Sequence, residues 1–183
     1  TLISTATASG AANVSITSGI DSTYDEYMFV VTDYNPTDGP SGALSNSAVF
    51  FTFQCSIDGG SNYNVATTST HFRLAHYEDD SVATPDYYTD GDQAQGTAFQ
   101  ILDLLTGAGT DESAAGILHL FSPSSTTYVK HFYSRFNSYY GSTSATLESH
   151  VAGYFNDVND INAIQFKPSS GSMDCVIQMY GIA

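Results

Sequence analysis

Hydrophobic and polar residues alternate with a period of two along much of the chain. The clearest case is the block I-L-H-L-F-S-P-S-S-T-T-Y-V-K-H-F-Y-S-R-F-N at residues 117–137. Within it, residues 128–136 place Tyr, Lys, Phe, Ser and Phe on one side and Val, His, Tyr and Arg on the other, which is typical of a β-strand. Residues 117–121 form a second short apolar run, and Pro123 between the two cannot donate to a sheet, which favours a turn. The block therefore predicts an antiparallel hairpin, which we place in the middle of the main sheet.

The same pattern predicts about ten short strands separated by turns rich in Gly, Ser and Asn, and no segment has a sustained helical period. The strand at 24–34 is apolar on both faces, which predicts a central position or a subunit contact. Long Pro-, Gly-, Ser- and Asp-rich loops are predicted at 35–47, 78–96 and 139–149. The other strands are predicted at residues 14–16, 48–57, 70–77, 99–105 (alternatively one helical turn), 150–155, 161–167 and 173–180.

These elements indicate an all-β fold, a single antiparallel β-sandwich that resembles a jelly roll. Residues 1–12 are small and polar and form either an N-terminal arm or a first edge strand. Residues 13–183 form the sandwich domain. An arm of small residues can add a strand to a neighbouring subunit through main-chain hydrogen bonds alone, so Leu2 and Ile3 are candidate contact residues.

The charge of the chain narrows the classes of partner. With 4 Lys and Arg against 19 Asp and Glu, the net charge is −15 and the isoelectric point is near 4.1. A field of this sign repels phosphate backbones and anionic lipid surfaces, so neither nucleic acid nor a membrane is an expected partner. Two of the four cationic side chains, Lys130 and Arg135, lie in the central hairpin, where we expect both to pair with carboxylates.

No catalytic motif is present, and the protein is predicted not to be an enzyme. The five histidines fall in strand-like segments and are interpreted as hydrogen-bonded sheet residues. No nucleophile elbow, H-E-x-x-H motif or phosphate-binding loop occurs. Cys55 and Cys175 lie on apolar faces of predicted strands, which favours buried free thiols. An inter-strand disulfide is the alternative if the two strands are neighbours.

The acidic stretch at 78–96 contains the one group of residues with metal-binding chemistry. Asp86, Asp90 and Asp92, the last two flanking a glycine, could surround a Ca²⁺ ion with oxygen ligands, although the spacing does not match an EF-hand. A solvated acidic loop without a cofactor is the favoured interpretation.

Paired tyrosines at the predicted loops are further candidates for contacts. Tyr87 and Tyr88 lie beside the acidic stretch, and Tyr139 and Tyr140 begin the loop at 139–149. Exposed tyrosines give contact area at low entropic cost, and stacking on sugars is the alternative to packing against a subunit.

Several segments resemble a family of virion structural proteins from tailed bacteriophages of the marine and cyanophage type. The resemblance spans nearly the whole chain and is carried by L-I-S-T-A-T-A-S at 2–9, T-S-G-I-D-S-T-Y-D-E-Y-M-F at 17–29, S-I-D-G-G-S-N-Y at 56–63, L-F-S-P-S-S-T-T-Y-V-K-H-F-Y-S-R at 120–135, V-A-G-Y-F-N at 151–156, I-N-A-I-Q-F-K at 161–167 and M-Y-G-I at 179–182.

This resemblance implies a non-enzymatic β-sandwich on the virion surface, assembled in the host cytoplasm and often oligomeric. The expected function is that of a capsid decoration (cement) protein that stabilises capsomer contacts. Its expected partners are the major capsid protein and copies of itself, with which it would form a homotrimer. The alternative is a tail-fibre or receptor-binding module, or another tail part. Such a module would hold a host glycan with the loops at 78–96 and 137–149.

Overall fold

The computed structural model describes residues 1–37, 49–141 and 143–183, and the described chain is all-β, as predicted. Among these residues there is no helix long and apolar enough to cross a membrane. Thirteen antiparallel strands form two sheets. The strands are β1 Leu2–Ala11, β2 Val14–Ile16, β3 Glu26–Pro36, β4 Phe51–Ser56, β5 Thr67–Tyr77, β6 Ala83–Tyr87, β7 Ala94–Gly96, β8 Gln100–Asp103, β9 Ala114–Phe121, β10 Lys130–Tyr140, β11 Ala145–Phe155, β12 Ala163–Pro168 and β13 Met173–Ile182.

The two sheets differ in size. The large sheet has nine strands in the order β1-β13-β3-β9-β10-β11-β5-β6, with β7 also paired to β5, and the small sheet has four in the order β2-β12-β4-β8. The predicted hairpin is confirmed: β9 and β10 pair antiparallel at the centre of the large sheet. This two-sheet arrangement is consistent with the predicted β-sandwich, while the jelly-roll connection is not confirmed by the strand order.

An aromatic core joins the sheets. Phe53 of the small sheet packs edge-on against Phe132 and Phe155 of the large sheet, with ring centroids 5.1 and 5.9 Å apart. The ring centroids of Tyr34 on β3 and Phe51 on β4 are 4.3 Å apart. Burying each of these rings contributes about 1.5–3 kcal/mol, so the aromatic positions of the alternating pattern fix which face of each strand points inward.

The irregular stretches of the sequence contain more strand than predicted. The acidic segment at 78–96 holds β6 and β7, both paired to β5. The segment at 139–149 contains the end of β10 and the start of β11, and residue 142 between them lies outside the described residues. These strands lack an apolar alternating signal because main-chain pairing to an existing neighbour extends them. Of the predicted loop at 35–47, residues 38–47 lie outside the described residues, and Asn35 and Pro36 belong to β3.

Three local expectations have different outcomes. Cys55 and Cys175 are free, buried thiols on strands of different sheets, so the disulfide alternative is wrong. Arg135 pairs with a carboxylate, that of Glu148, as predicted. Lys130 does not: its buried ammonium donates to the main-chain carbonyl oxygens of residues 157 and 159. Lys130 begins β10 opposite Phe155, the last residue of β11. The segment at 156–160 follows β11 directly, so its carbonyl oxygens lie within reach of the Lys130 ammonium.

Candidate interaction surface

The outer face of the large sheet is the main exposed feature of the fold. The four strands of the small sheet cover one face of the large sheet, so residues on its opposite face point to solvent. Burial along β10 alternates strictly, with Phe132, Ser134 and Phe136 inside and Tyr133 and Arg135 outside. The registers of β9, β11 and β5 extend this alternation across the sheet. We call the outward-pointing residues of β5, β9, β10 and β11 and their neighbours on β3 and β6 the outer face.

Apolar and aromatic side chains are concentrated on the outer face. The register aligns Val30, Ile117, Arg135, His150, Phe72 and Tyr87 in one row across six strands. Phe72 is 51% exposed, and its ring meets that of Tyr87 edge-on at 5.3 Å. Among the described residues, six of the nine exposed large hydrophobic side chains lie on this face: Phe72, Leu74, Tyr87, Ile117, Tyr133 and Tyr139.

A second aromatic group lies beside this row. The rings of His119 and Tyr133 are nearly parallel with centroids 4.5 Å apart, and Phe121 stacks on Tyr133 at 5.7 Å. The Nδ1 atom of His119 is 2.5 Å from a carboxylate oxygen of Glu26 on β3. These contacts hold the rings in place, so the surface is preorganised and loses little side-chain entropy on binding.

The outer face is much less acidic than the chain as a whole. From β5, β9, β10 and β11 a single carboxylate, that of Glu148, points outward. Glu148 accepts hydrogen bonds from Nε of Arg135 and from Nε2 of His150, the latter at 2.9 Å. The bond from Arg135 is the main cause that holds the pKa of Glu148 below its usual value. Glu26 of β3, which pairs with His119, adds a second carboxylate to this face. Most of the 19 acidic side chains therefore lie elsewhere on the molecule.

The predicted contact tyrosines have unequal positions. Tyr87 is 42% exposed, whereas Tyr88 is half-buried between His71 and the Arg73 guanidinium, which lies 4.8 Å from its ring centre. Tyr139 and Tyr140 end β10 instead of forming a loop. Alternation along that strand leaves Tyr139 on the outer face and buries Tyr140, so Tyr140 is not available for surface contacts.

The N-terminal contact candidates lie in the edge strand. Leu2 is 49% exposed at the start of β1. Ile3 is half-buried and packs against the core, where its Cγ2 atom lies close to Gly19.

The three aspartates proposed for Ca²⁺ are used separately. Asp86 pairs with Arg73 at 2.8 Å, and Asp92 accepts a hydrogen bond from the Tyr87 hydroxyl at 2.7 Å. Asp90 is exposed and is not joined to either of them. Across residues 1–37, 49–141 and 143–183 no three His, Cys, Asp or Glu side chains are grouped to hold a metal ion. The sequence spacing did not predict this because pairing of β5 with β6 turns Asp86 toward Arg73.

The most perturbed titratable groups lie inside the sandwich. His71 is fully buried, neither ring nitrogen has a hydrogen-bond partner, and burial is the main cause that lowers its pKa to about 4. Asp103 is fully buried, accepts from the Thr106 hydroxyl at 2.7 Å, and has its pKa raised by burial. The four other histidines, His76, His119, His131 and His150, point outward from the large sheet.

Sequence reasoning missed four exposed members of the outer face: Phe72, Leu74, Ile117 and Tyr133. The sequence does contain a signal for them. The strands that hold these residues have large apolar or aromatic side chains on both faces, the same pattern that was noted at 24–34.

Comparison with known proteins adds little. No family model matches the chain, and no curated protein matches it. Among solved structures, one similar chain is a structural-genomics crystal structure of unknown function from Bacteroides ovatus. It is 5% identical, with a TM-score of 0.32, and the match covers 61% of this chain and 45% of that one. The chain thus spans less than half the length of that neighbour, and the similarity carries no argument about function.

Proposed function

We propose that this protein is a non-enzymatic structural protein of a tailed-bacteriophage particle, a decoration (cement) protein that binds the major capsid protein on the outer surface of the head. The phage setting rests on the sequence resemblance. The observation that carries a contact function is the set of exposed apolar and aromatic side chains on the outer face, in particular Phe72 and Ile117 in the row and Tyr133 beside it.

The chemistry of this face fits a protein partner. Exposed apolar patches of this kind mark interaction sites, and aromatic and Arg side chains supply most of the binding energy in interfaces. Arg135 stands in the centre of the row with its charge already paired to Glu148. A cement protein needs a rigid body with an adhesive face, and both sheets of the sandwich support this face from beneath.

The first experiment measures where the protein sits and in how many copies. Quantitative mass spectrometry of purified particles would give its ratio to the major capsid protein. A ratio close to equimolar is expected for a cement protein. A strongly substoichiometric ratio would refute the cement function and point to the tail.

The second experiment tests the face itself. Particles lacking the protein are incubated with the purified wild type, with the double variant F72A/Y133A, or with the control Y128A. Tyr128 is 73% exposed but lies in the turn before β10, off the outer face. Two lost aromatic contacts should weaken binding by at least about 30-fold. Equal binding by all three proteins would exclude this face as the contact.

The alternative function is a tail-associated module that recognises a host glycan. Tyr87 favours it, since its half-exposed ring stands next to a carboxylate, that of Asp92, which can accept hydrogen bonds from sugar hydroxyls. Because Asp86, Asp90 and Asp92 do not converge, sugar binding by this protein should be insensitive to a chelator. A glycan-array signal lost in Y87A, together with few copies per particle, would support this function over the first.

A further inference from the structure

The free edge of β1 presents an unused row of main-chain hydrogen-bonding groups. β1 pairs on one side with β13, and no other strand among the described residues pairs with its second side. Thr1 and Gly181 exchange both main-chain hydrogen bonds. Since partners alternate in an antiparallel ladder, the residues opposite Met179, Ile177 and Cys175 bond inward. The N–H and C=O groups of Thr5 and Thr7 therefore point to the free edge.

The two edges of the large sheet are protected to very different degrees. β6, at the opposite edge, has five residues, contains Pro85 and Asp86, and is exposed at every position. Proline, charge and short length are the usual devices that prevent edge-to-edge pairing. β1 has ten residues, no proline and no charged side chain. Its register shifts lie between Leu2 and Ser4 and between Ala8 and Ala11, so residues 4–8 form an unbroken stretch in which the β-branched Thr5 and Thr7 are exposed. An edge of this kind is a template for another strand.

We propose that β1 pairs with β1 of a second copy of this chain, antiparallel across a two-fold axis near Thr5–Thr7, so that two large sheets become one continuous sheet. An antiparallel edge is complementary to itself, which gives the closed isologous contact of a two-fold dimer. Threonines facing each other across the junction form favourable cross-strand pairs. This dimer does not depend on the proposed function and differs from the homotrimer expected from the resemblance.

The distribution of charge selects a second copy as the partner. Each chain carries a net charge of −15, yet the first ionisable side chain is that of Asp21. The Asp174 carboxylate accepts a hydrogen bond from the Gly10 N–H at the far end of β1. Residues 4–8, away from that carboxylate, are therefore where two copies can approach with little repulsion.

The edge is also ready to bind. Ala8 is buried, and Ile3 and Ala6 pack against the core, so the strand is already ordered in the monomer. Pairing then costs little conformational entropy. The dimer junction lies at the end of the sheet, which leaves Phe72 and Tyr133 of the outer face uncovered.

The test measures mass in solution by sedimentation equilibrium between about 5 and 200 µM, since dimerisation depends on concentration. Three variants of the full chain are compared with the wild type. T7P removes an outward N–H without removing a bond to β13. T5E/T7E places like charges across the junction. T84E is the matched control, because Thr84 is an exposed threonine on the opposite edge strand, β6.

The expected result is a dimer for the wild type and for T84E, and a monomer for T7P and T5E/T7E. Hydrogen exchange of the Thr5 and Thr7 amides should slow as concentration rises, while the Ala6 amide stays protected throughout. If T7P does not fold, T5E/T7E alone decides the matter. A wild type that remains monomeric at the highest concentration would overturn the proposal. So would a dimer that survives T5E/T7E, or one that T84E also dissociates.

Discussion

Acid should destabilise this protein through one buried residue, His71. The imidazole is fully buried beneath Tyr88, and neither of its nitrogens is hydrogen-bonded. Burial lowers its pKa from 6.5 to about 4, and Arg73 and His150 act in the same direction while Asp92 and the Gly91 main chain oppose them. Protonation therefore favours the unfolded chain, in which the imidazole is solvated.

The sign and size follow from proton linkage. A group whose pKa is lower in the folded state contributes stability above its unfolded pKa, and that stability is lost as the pH falls toward the folded value. With a folded-state pKa of about 4, protonation of His71 should lower the free energy of unfolding by about 1 kcal/mol between pH 7.5 and pH 5.5. By pH 4.5 the loss should reach about 2–3 kcal/mol.

The assay is urea unfolding of the wild type and H71L at pH 7.5, 5.5 and 4.5. Leucine replaces the ring with an apolar, uncharged side chain, so the difference at pH 7.5 reflects packing and the contact of the ring with Gly91, and only its change with pH reports protonation. The difference in free energy of unfolding between the two proteins should then change in favour of H71L as the pH falls. Asp103, whose pKa is shifted the other way by burial, is present in both proteins and cancels. A gap that is constant across the three pH values would refute the reasoning.

Three further predictions concern the core. G116A should lower the free energy of unfolding by about 1–3 kcal/mol in urea titration, because a Cβ atom at this position would lie 2.4 Å from Phe136 Cγ. K130M should cost about 1–3 kcal/mol and speed amide exchange at 156–160, since two carbonyl oxygens lose their donor. Cys55 and Cys175 should resist a thiol reagent until urea unfolds the chain, because burial raises both thiol pKa values, that of Cys175 to about 11. Reaction of either thiol in the folded protein, without urea, would contradict the buried positions.

The sequence predicted the strands whose two sides differ. In 128–136, alternate residues are large and apolar, and burial of those side chains outweighs local alternatives, so both the strand and its inward face were recognisable. Cys55 and Cys175 were correctly placed inside for the same reason. Strands without this contrast, β6 and β7, were missed because their pairing to β5 is a main-chain interaction with no side-chain signature.

What the sequence determined by itself is the all-β class, the central hairpin and the aromatic core, since these depend on a period of two that is visible along the chain. The tertiary structure decided which surfaces remain uncovered. The small sheet covers one face of the large sheet, which leaves Phe72 and Tyr133 exposed on the other face, while the end of β10 carries Tyr140 into the core. Pairing of β1 with β13, between residues almost the whole chain apart, leaves the uncharged edge open. Such contacts join positions distant in sequence, and no local pattern encodes them.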